Sequence, residues 1–349
     1  MKKITKIGII GGGQLGRMIC FSAHKMGFQT VVFSDHQHAP ASFVTNQTIV
    51  ADYLDKEALK NFASQIDVAT FEFENIPYET INYLSSFVEV CPGSEVLRIT
   101  QNRLLEKTFL NSIGAKTADF AEIISLDELQ KNLTKFGKAI LKTATMGYDG
   151  KGQFVLKNSN DAISAWDQAK NHKLILEKFC PFDSEISVMV TRSKNGEIAA
   201  YEPLTNIHKN GILDESHYPA KISDNLKVKA CELAKKIALE IGLIGILAVE
   251  MFVIGDELLV NELAPRPHNS GHFSMDANIT SQFEQAIRAI VGLPLGSTEF
   301  HSKGYMKNLI GDEVNQIENF YKNPRAKIHL YGKSEAKAGR KMGHVNILN

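Results

Sequence analysis

The sequence predicts an α/β protein, α+β overall, with a doubly wound N-terminal unit, a larger central unit and a small β-rich C-terminal unit. Three observations predict it. Short apolar strand patterns alternate with amphipathic helical patterns over the first ~90 residues. A glycine-rich stretch, Gly147-Tyr148-Asp149-Gly150-Lys151-Gly152-Gln153, interrupts two apolar runs in the middle of the chain. Two strand patterns, 246–254 and 258–263, flank Gly255-Asp256 as a hairpin. Domain boundaries are placed at 1–98, 99–297 and 298–349.

Taken in order, 6–10 is a buried strand, and Gly11-x-Gly13-x-x-Gly16 turns it into a helix that runs to about Gly27. Residues 30–34 form a second strand, 56–66 a helix with Leu59, Phe62, Ala63 and Ile66 on one face, and 68–73 a third strand. Residues 101–113 form a helix stopped by Gly114. Residues 139–141 and 153–156 flank the glycine-rich stretch as a hairpin, and 173–179 and 185–190 are strands. Asp224 caps a helix whose apolar positions, Leu226 to Ile241, recur at helical spacing; Gly242 ends it. Residues 282–291 form a helix, and the last ~50 residues a β-rich cap.

The chain has 349 residues, enough for two or three domains with cores of their own. Hydrophobic content of 44% and charged content of 22% are those of an ordinary globular protein. A formal net charge of +0 gives no global case for nucleic acid or an anionic membrane, and no apolar run reaches membrane-span length. Cysteines 20, 91, 180 and 231 form no CxxC pair and read as reduced, packed thiols of a cytoplasmic protein.

Four constellations carry chemistry. Glycines let a backbone approach an anion and aim N–H groups at it, so Gly147 to Gln153, with Lys142 and Lys151, reads as a loop closing over nucleotide phosphates; the alternative is an ordinary hairpin turn. Gly11-x-Gly13-x-x-Gly16, with Asp35 about 20 residues on, fits a dinucleotide fingerprint, although close strand–helix packing needs the same glycines. The polar cluster Glu72, Glu74 and Asn75 falls at a strand end where open sheets bind ligands, or in a solvated loop. Finally, Glu250 and Glu262 lie inside apolar strands. A three-residue loop sets them opposite each other; a two-residue loop sets Glu250 opposite Asn261. Carboxylates buried together raise their pKa values unless a cation compensates, and Mg²⁺ is one that takes carboxylate and phosphate oxygens together; the alternative is one glutamate exposed and the other salt-bridged.

The glycine-rich stretch, Pro203-Leu204-Thr205-Asn206-Ile207-His208 with Gly211-Ile212-Leu213, and Asn261-Glu262-Leu263-Ala264-Pro265-Arg266-Pro267-His268-Asn269-Ser270-Gly271-His272 together resemble one family. It is the ATP-grasp family of PurK-type 5-(carboxyamino)imidazole ribonucleotide synthetases of purine synthesis. Gly11 to Met18, Glu72 to Pro77 and Gly339 to His344 match it too, so the resemblance covers essentially the whole chain. It implies a pre-ATP-grasp domain, an ATP-grasp domain and a small C-terminal domain. It also implies the reaction: aminoimidazole ribonucleotide, ATP and bicarbonate give the N-carboxylated ribonucleotide, ADP and phosphate through carboxyphosphate.

The resemblance further implies roles by matched position. Arg103 and Lys142 contact ATP phosphates, with Gly147, Tyr148, Asp149, Gly150, Lys151, Gly152 and Gln153 closing above. The backbone of Glu177, Lys178, Phe179 and Cys180 holds the adenine edge, Glu185 the ribose, and His208 stands near the nucleotide. Glu250 and Glu262 hold Mg²⁺ with Asn261 beside them, and Arg266 stabilises the transferring phosphate. Tyr148, Asp149, His268, Asn269 and Ser270 form the wall where the aminoimidazole meets carboxyphosphate, with Asp149 and His268 handling protons. Lys333, Arg340 and Lys341 bind the ribonucleotide phosphate, Lys341 being counted with the catalytic set, and Gln14 and Leu15 line the other side. A homodimer with small-molecule partners is implied as well. Two departures stand out: Ala264 where many ATP-grasp enzymes carry asparagine, and Asn102 where aspartate is usual. Relatives continue with a further helix, so the C-terminal domain is expected to be incomplete.

Overall fold

The computed structural model describes residues 4–145, 147 and 152–349, and among these three sheets form. The first is parallel, in the order Gln47–Val50, Gln29–Ser34, Lys6–Ile10, Val68–Phe71. Gln29–Ser34, Lys6–Ile10 and Val68–Phe71 are buried almost throughout because both faces are covered, while the edge strand Gln47–Val50 stays partly exposed. One face packs Leu15, Met18 and Ile19 of helix Gln14–Lys25 with Ile287 and Ile290 of helix Gln282–Val291. The other packs Leu59 and Phe62 of helix Lys56–Ala63 with Ile81 of helix Tyr78–Leu84. The doubly wound unit is therefore completed by a helix from far along the chain.

The second sheet is antiparallel, in the order Phe120–Ile123, Leu174–Lys178, Ala139–Thr143, Gln153–Leu156. Helices Leu126–Phe136 and Ser159–Ala169 cover it. The third runs Glu257–Ala264, Gly245–Ile254, Ser184–Arg192, Leu204–Lys209, Ile212–Tyr218, Gly304–Ile310, Lys341–Leu348, Ala326–Leu330, with Ile198–Ala200 attached to Ser184–Arg192. Helix Asp224–Glu240 packs Ala230, Ala234 and Ile237 against Val188, Val190 and Val249 of this sheet.

The C-terminal strands are β-rich as expected, and they extend the central sheet: Gly304–Ile310 pairs antiparallel with Ile212–Tyr218. One expectation needs correction. The cap of helix Asp224–Glu240 is Ser223, whose hydroxyl accepts from the Leu226 N–H at 3.3 Å; Asp224 is already its first residue. Asn102 caps helix Arg103–Ser112 by accepting from the N–H groups of Leu104 and Leu105, a job aspartate would do equally.

Candidate active site

The site begins with the hairpin. Ile254 pairs with Glu257, so the loop has two residues, and a regular ladder would set Glu250 opposite Asn261. Met251 does pair with Val260, but the next pair is Glu250 with Glu262. Asn261 is the extra residue of a β-bulge, which shifts the ladder by one and brings the two glutamates face to face. The short loop and the opposed carboxylates, alternatives in the sequence, coexist.

Each glutamate has a basic neighbour. Arg103 Nη1 lies 3.2 Å from Glu262 Oε2, so Glu262 has a cationic partner in a residue expected on the nucleotide phosphates. His268 Nε2 lies 3.2 Å from Glu250 Oε1. His268 Nδ1 accepts from the Ser270 N–H at 3.3 Å, which assigns the ring proton to Nε2, the nitrogen near Glu250. Burial and the Glu262 charge hold the Glu250 carboxyl well above the usual range. Burial, with Arg266 and Lys341 nearby, holds His268 well below its own. Ser270, expected on the acceptor wall, is fully buried, and its Oγ lies 2.7 Å from Ser187 Oγ and 2.9 Å from His268 Nδ1. It steadies the histidine and does not face the cavity.

Behind the glutamates lies a buried ion cluster. Lys142 Nζ donates to Glu177 Oε2 at 2.8 Å, and Lys107 Nζ lies 3.6 Å from Glu177 Oε1. Burial alone would raise the Glu177 carboxyl, but the two lysines bring it below the usual range; burial pulls Lys142 down against the pull of Glu177. The Glu177 side chain thus anchors two lysines, while the strand ends at Lys178 and the chain runs on through Phe179 and Cys180. The Phe179 N–H donates to Lys138 O at 3.0 Å, and Lys138 Nζ sits over the Phe179 ring. Glu185 Oε2 is 2.6 Å from His208 Nδ1, so these two expected nucleotide contacts stand together.

The N-terminal fingerprint has a different occupant from a dinucleotide. Glu72 Oε1 accepts from the Gly13 N–H at 2.8 Å and Oε2 from the Gly16 N–H at 3.3 Å. A Cβ on Gly13 would lie 2.5 Å from Glu72 Oε1, so glycine is required for the carboxylate to approach. The helix N-terminus is capped by the chain's own anion. Two residues on, Glu74 pairs with Arg266, the residue expected on the transferring phosphate.

Many of these groups line one cavity of ≈ 650 Å³, whereas Lys142, Glu177, Glu185, His208 and Glu250 lie outside its lining. Gln14, Leu15, Glu72 and Glu74 line it from the N-terminal unit, and Arg103, Glu262, Arg266 and His268 from the central unit. Asn269, Lys333, Arg340 and Lys341 line the remaining wall. Asn269 exchanges two amide hydrogen bonds with Asn308, and Lys333 Nζ donates to Lys341 O at 2.7 Å. Gly147 reaches the rim, and Gly152 and Gln153 lie where the loop re-enters its strand. Tyr148, Asp149, Gly150 and Lys151 lie outside the described residues.

Sequence reasoning missed Glu106 and Lys107, both almost fully buried beside Glu262. The signal was available: Arg103, Glu106 and Lys107 recur at i, i+3 and i+4 on a helix already expected. Among the described residues no three metal-ligating side chains converge on one point. Glu250 and Glu262 offer two carboxylates, a set suited to a hard cation that takes its other oxygens from a nucleotide phosphate.

Comparison with known proteins covers the whole chain. Residues 4–101 match the ribonucleotide synthetase preATP-grasp domain, 108–283 the ATP-grasp domain, and 304–349 the phosphoribosylaminoimidazole carboxylase C-terminal domain. The N5-carboxyaminoimidazole ribonucleotide synthase of Bacillus subtilis is 46% identical over 348 residues, covering 98% of this chain and 91% of its own. An ADP complex of purK, an N5-carboxyaminoimidazole ribonucleotide synthetase, superposes with a TM-score of 0.96 at 44% identity, covering 100% of this chain and 94% of that one. The N5-carboxyaminoimidazole synthase of Aspergillus clavatus, in complex with ADP and 5-aminoimidazole ribonucleotide, gives 0.94 at 31% identity over 100% and 95%.

Proposed function

The chain belongs to the PurK-type N5-carboxyaminoimidazole ribonucleotide synthase family of ATP-grasp ligases, and from that premise we propose how its own residues perform the reaction. Aminoimidazole ribonucleotide is carboxylated with bicarbonate at the expense of ATP, in purine biosynthesis. Bicarbonate is a poor electrophile. Its phosphorylation to carboxyphosphate creates a leaving group, and that step depends on positioning and charge neutralisation.

The observation that carries the reading is the meeting of Glu262, Arg103 and Arg266 with Gln14 and Lys341 in one cavity built from all three parts of the chain. Lys142 and Arg103 take the ATP phosphates, Glu185 the ribose, and the Glu177 to Cys180 backbone the adenine. Glu250 and Glu262 would hold Mg²⁺, which would supply charge neutralisation for those phosphates; the opposed carboxylates and the raised Glu250 support it. Arg266, steered by Glu74, faces the transferring phosphoryl group. His268, kept neutral, orients the acceptor beside Asn269, and Asp149 handles the proton of the attacking amine. Lys333, Arg340 and Lys341 hold the ribonucleotide phosphate. Among the described residues no helix is long and apolar enough to cross a membrane. A cytoplasmic homodimer completes the reading; light scattering tests the oligomer.

The deciding experiment is ADP release with each substrate omitted in turn, with the product identified by mass. Rapid release is expected only with aminoimidazole ribonucleotide and bicarbonate both present. Full activity with formate in place of bicarbonate would overturn the assignment.

A further inference from the structure

The first turn of helix Arg103–Ser112 grips three consecutive residues of the strand Glu257–Ala264. Lys107 Nζ donates to Asn261 O at 3.3 Å, Arg103 Nη1 lies 3.2 Å from Glu262 Oε2, and Glu106 Oε1 accepts from the Leu263 N–H at 2.7 Å. Those three residues are the bulge and its exit. The strand is the edge of its sheet: outward, the Val260 N–H donates to Lys116 O at 2.8 Å in an isolated bridge, while Asn261 O and the Leu263 N–H are satisfied by side chains of the helix. Glu106 is 2% exposed and Lys107 1%, so both bonds are made away from water.

A bulge is one of two registers open to this hairpin. Without it, Glu250 faces Asn261 and the carboxylate pair is lost. We propose that Glu106 and Lys107 are positioning residues which, by holding Leu263 N–H and Asn261 O, fix the Asn261 bulge and so set Glu262 opposite Glu250. The inference rests on the reading of Glu250 and Glu262 as metal ligands. Arg103 holds the Glu262 side chain; Glu106 and Lys107 hold the backbone that carries it.

The test is Mn²⁺ binding to the ADP-loaded protein, followed by electron paramagnetic resonance, beside a thermal melt. Glu106→Leu and Lys107→Met are expected to weaken Mn²⁺ binding by about 10- to 100-fold, as loss of a ligand's supporting contact does. Turnover should fall, while the KM for aminoimidazole ribonucleotide stays within about twofold. Glu106→Gln keeps an acceptor for the Leu263 N–H and should recover most of the affinity, which a merely space-filling role would not require. Folded Glu106→Leu and Lys107→Met proteins with wild-type Mn²⁺ affinity would overturn the clamp. Where Glu106→Leu does not fold, Lys107→Met decides by the same comparison. Glu250→Gln is the control: if it loses Mn²⁺ and the clamp variants do not, only the clamp fails. If it binds Mn²⁺ as the wild type does, the metal reading fails and the clamp with it.

Discussion

Glu72 and Glu74 are two residues apart, line the same cavity, and are pushed in opposite directions for a local reason. Burial pushes the Glu72 carboxyl up, although the Gly13 and Gly16 N–H groups oppose it. Burial would also raise Glu74, but the Arg266 guanidinium brings it down to about 2. Neutral dipoles only partly replace lost hydration, whereas a fixed cation in direct contact exceeds it. A depressed carboxyl stabilises the fold above its unfolded value, and the contribution disappears as pH falls through the folded value. Glu74→Gln should therefore lower Tm by a constant amount at neutral pH. The gap to wild type should narrow below about pH 4.5 and close toward pH 2. Thermal melts of both proteins across this range check it; a gap independent of pH would mean that Glu74 acts by shape and not by charge. The sequence shows both carboxylates and Arg266, but the partnership spans 192 residues, and no local pattern reports it.

The elements most legible in the sequence are those whose burial follows one period. The helices at 56–63, 103–112, 224–240 and 282–291 all carry apolar stripes and were expected. Helices Leu126–Phe136 and Ser159–Ala169 were not, although Ser125 and Asn158 cap them by accepting N–H bonds. The Asn261 bulge was not legible either, because it depends on the helix packed outside the strand. Gly11-x-Gly13-x-x-Gly16 was read correctly as a turn into a helix, but its ligand could not be. The carboxylate that occupies it arrives from the end of another strand, Val68–Phe71. Gly13→Ala tests that account. The new methyl would collide with Glu72 Oε1 at 2.5 Å, and overpacking of this kind costs roughly 1–3 kcal/mol. Urea unfolding should show the loss, and Gly13→Ala combined with Glu72→Ala should recover part of it by removing the colliding group. A double variant no more stable than Gly13→Ala alone would place the strain elsewhere.

At the scale of the whole molecule, the cationic wall exists only because the C-terminal strands extend the central sheet. Gly304–Ile310 pairs with both Ile212–Tyr218 and Lys341–Leu348, which carries Lys341 and its neighbour Arg340 to the cavity opposite Glu72 and Glu74. A chain of +0 net charge attracts no anion at long range, so recognition of a phosphorylated acceptor must come from such a local patch. Arg340 Nη1 already donates to Glu335 O at 3.1 Å, which holds the guanidinium at the rim. Of the proposed nucleotide contacts, Lys142 and Glu177 belong to the second sheet, and Glu185 to Ser184–Arg192, which two strands separate from Gly304–Ile310 within the central sheet. Arg340→Ala is expected to raise the KM for aminoimidazole ribonucleotide about tenfold or more, since a charge-assisted hydrogen bond is worth roughly 1.5–3 kcal/mol. The KM for ATP should stay within about twofold, because the removed contact belongs to the acceptor alone. Arg340→Lys should recover only part of the loss, keeping the charge without the two-pronged geometry. Steady-state kinetics with each substrate varied at saturation of the others makes the measurement. An equal rise in both KM values would show that Arg340 serves the nucleotide or the fold, and the acceptor phosphate would then have to be sought elsewhere in the cavity.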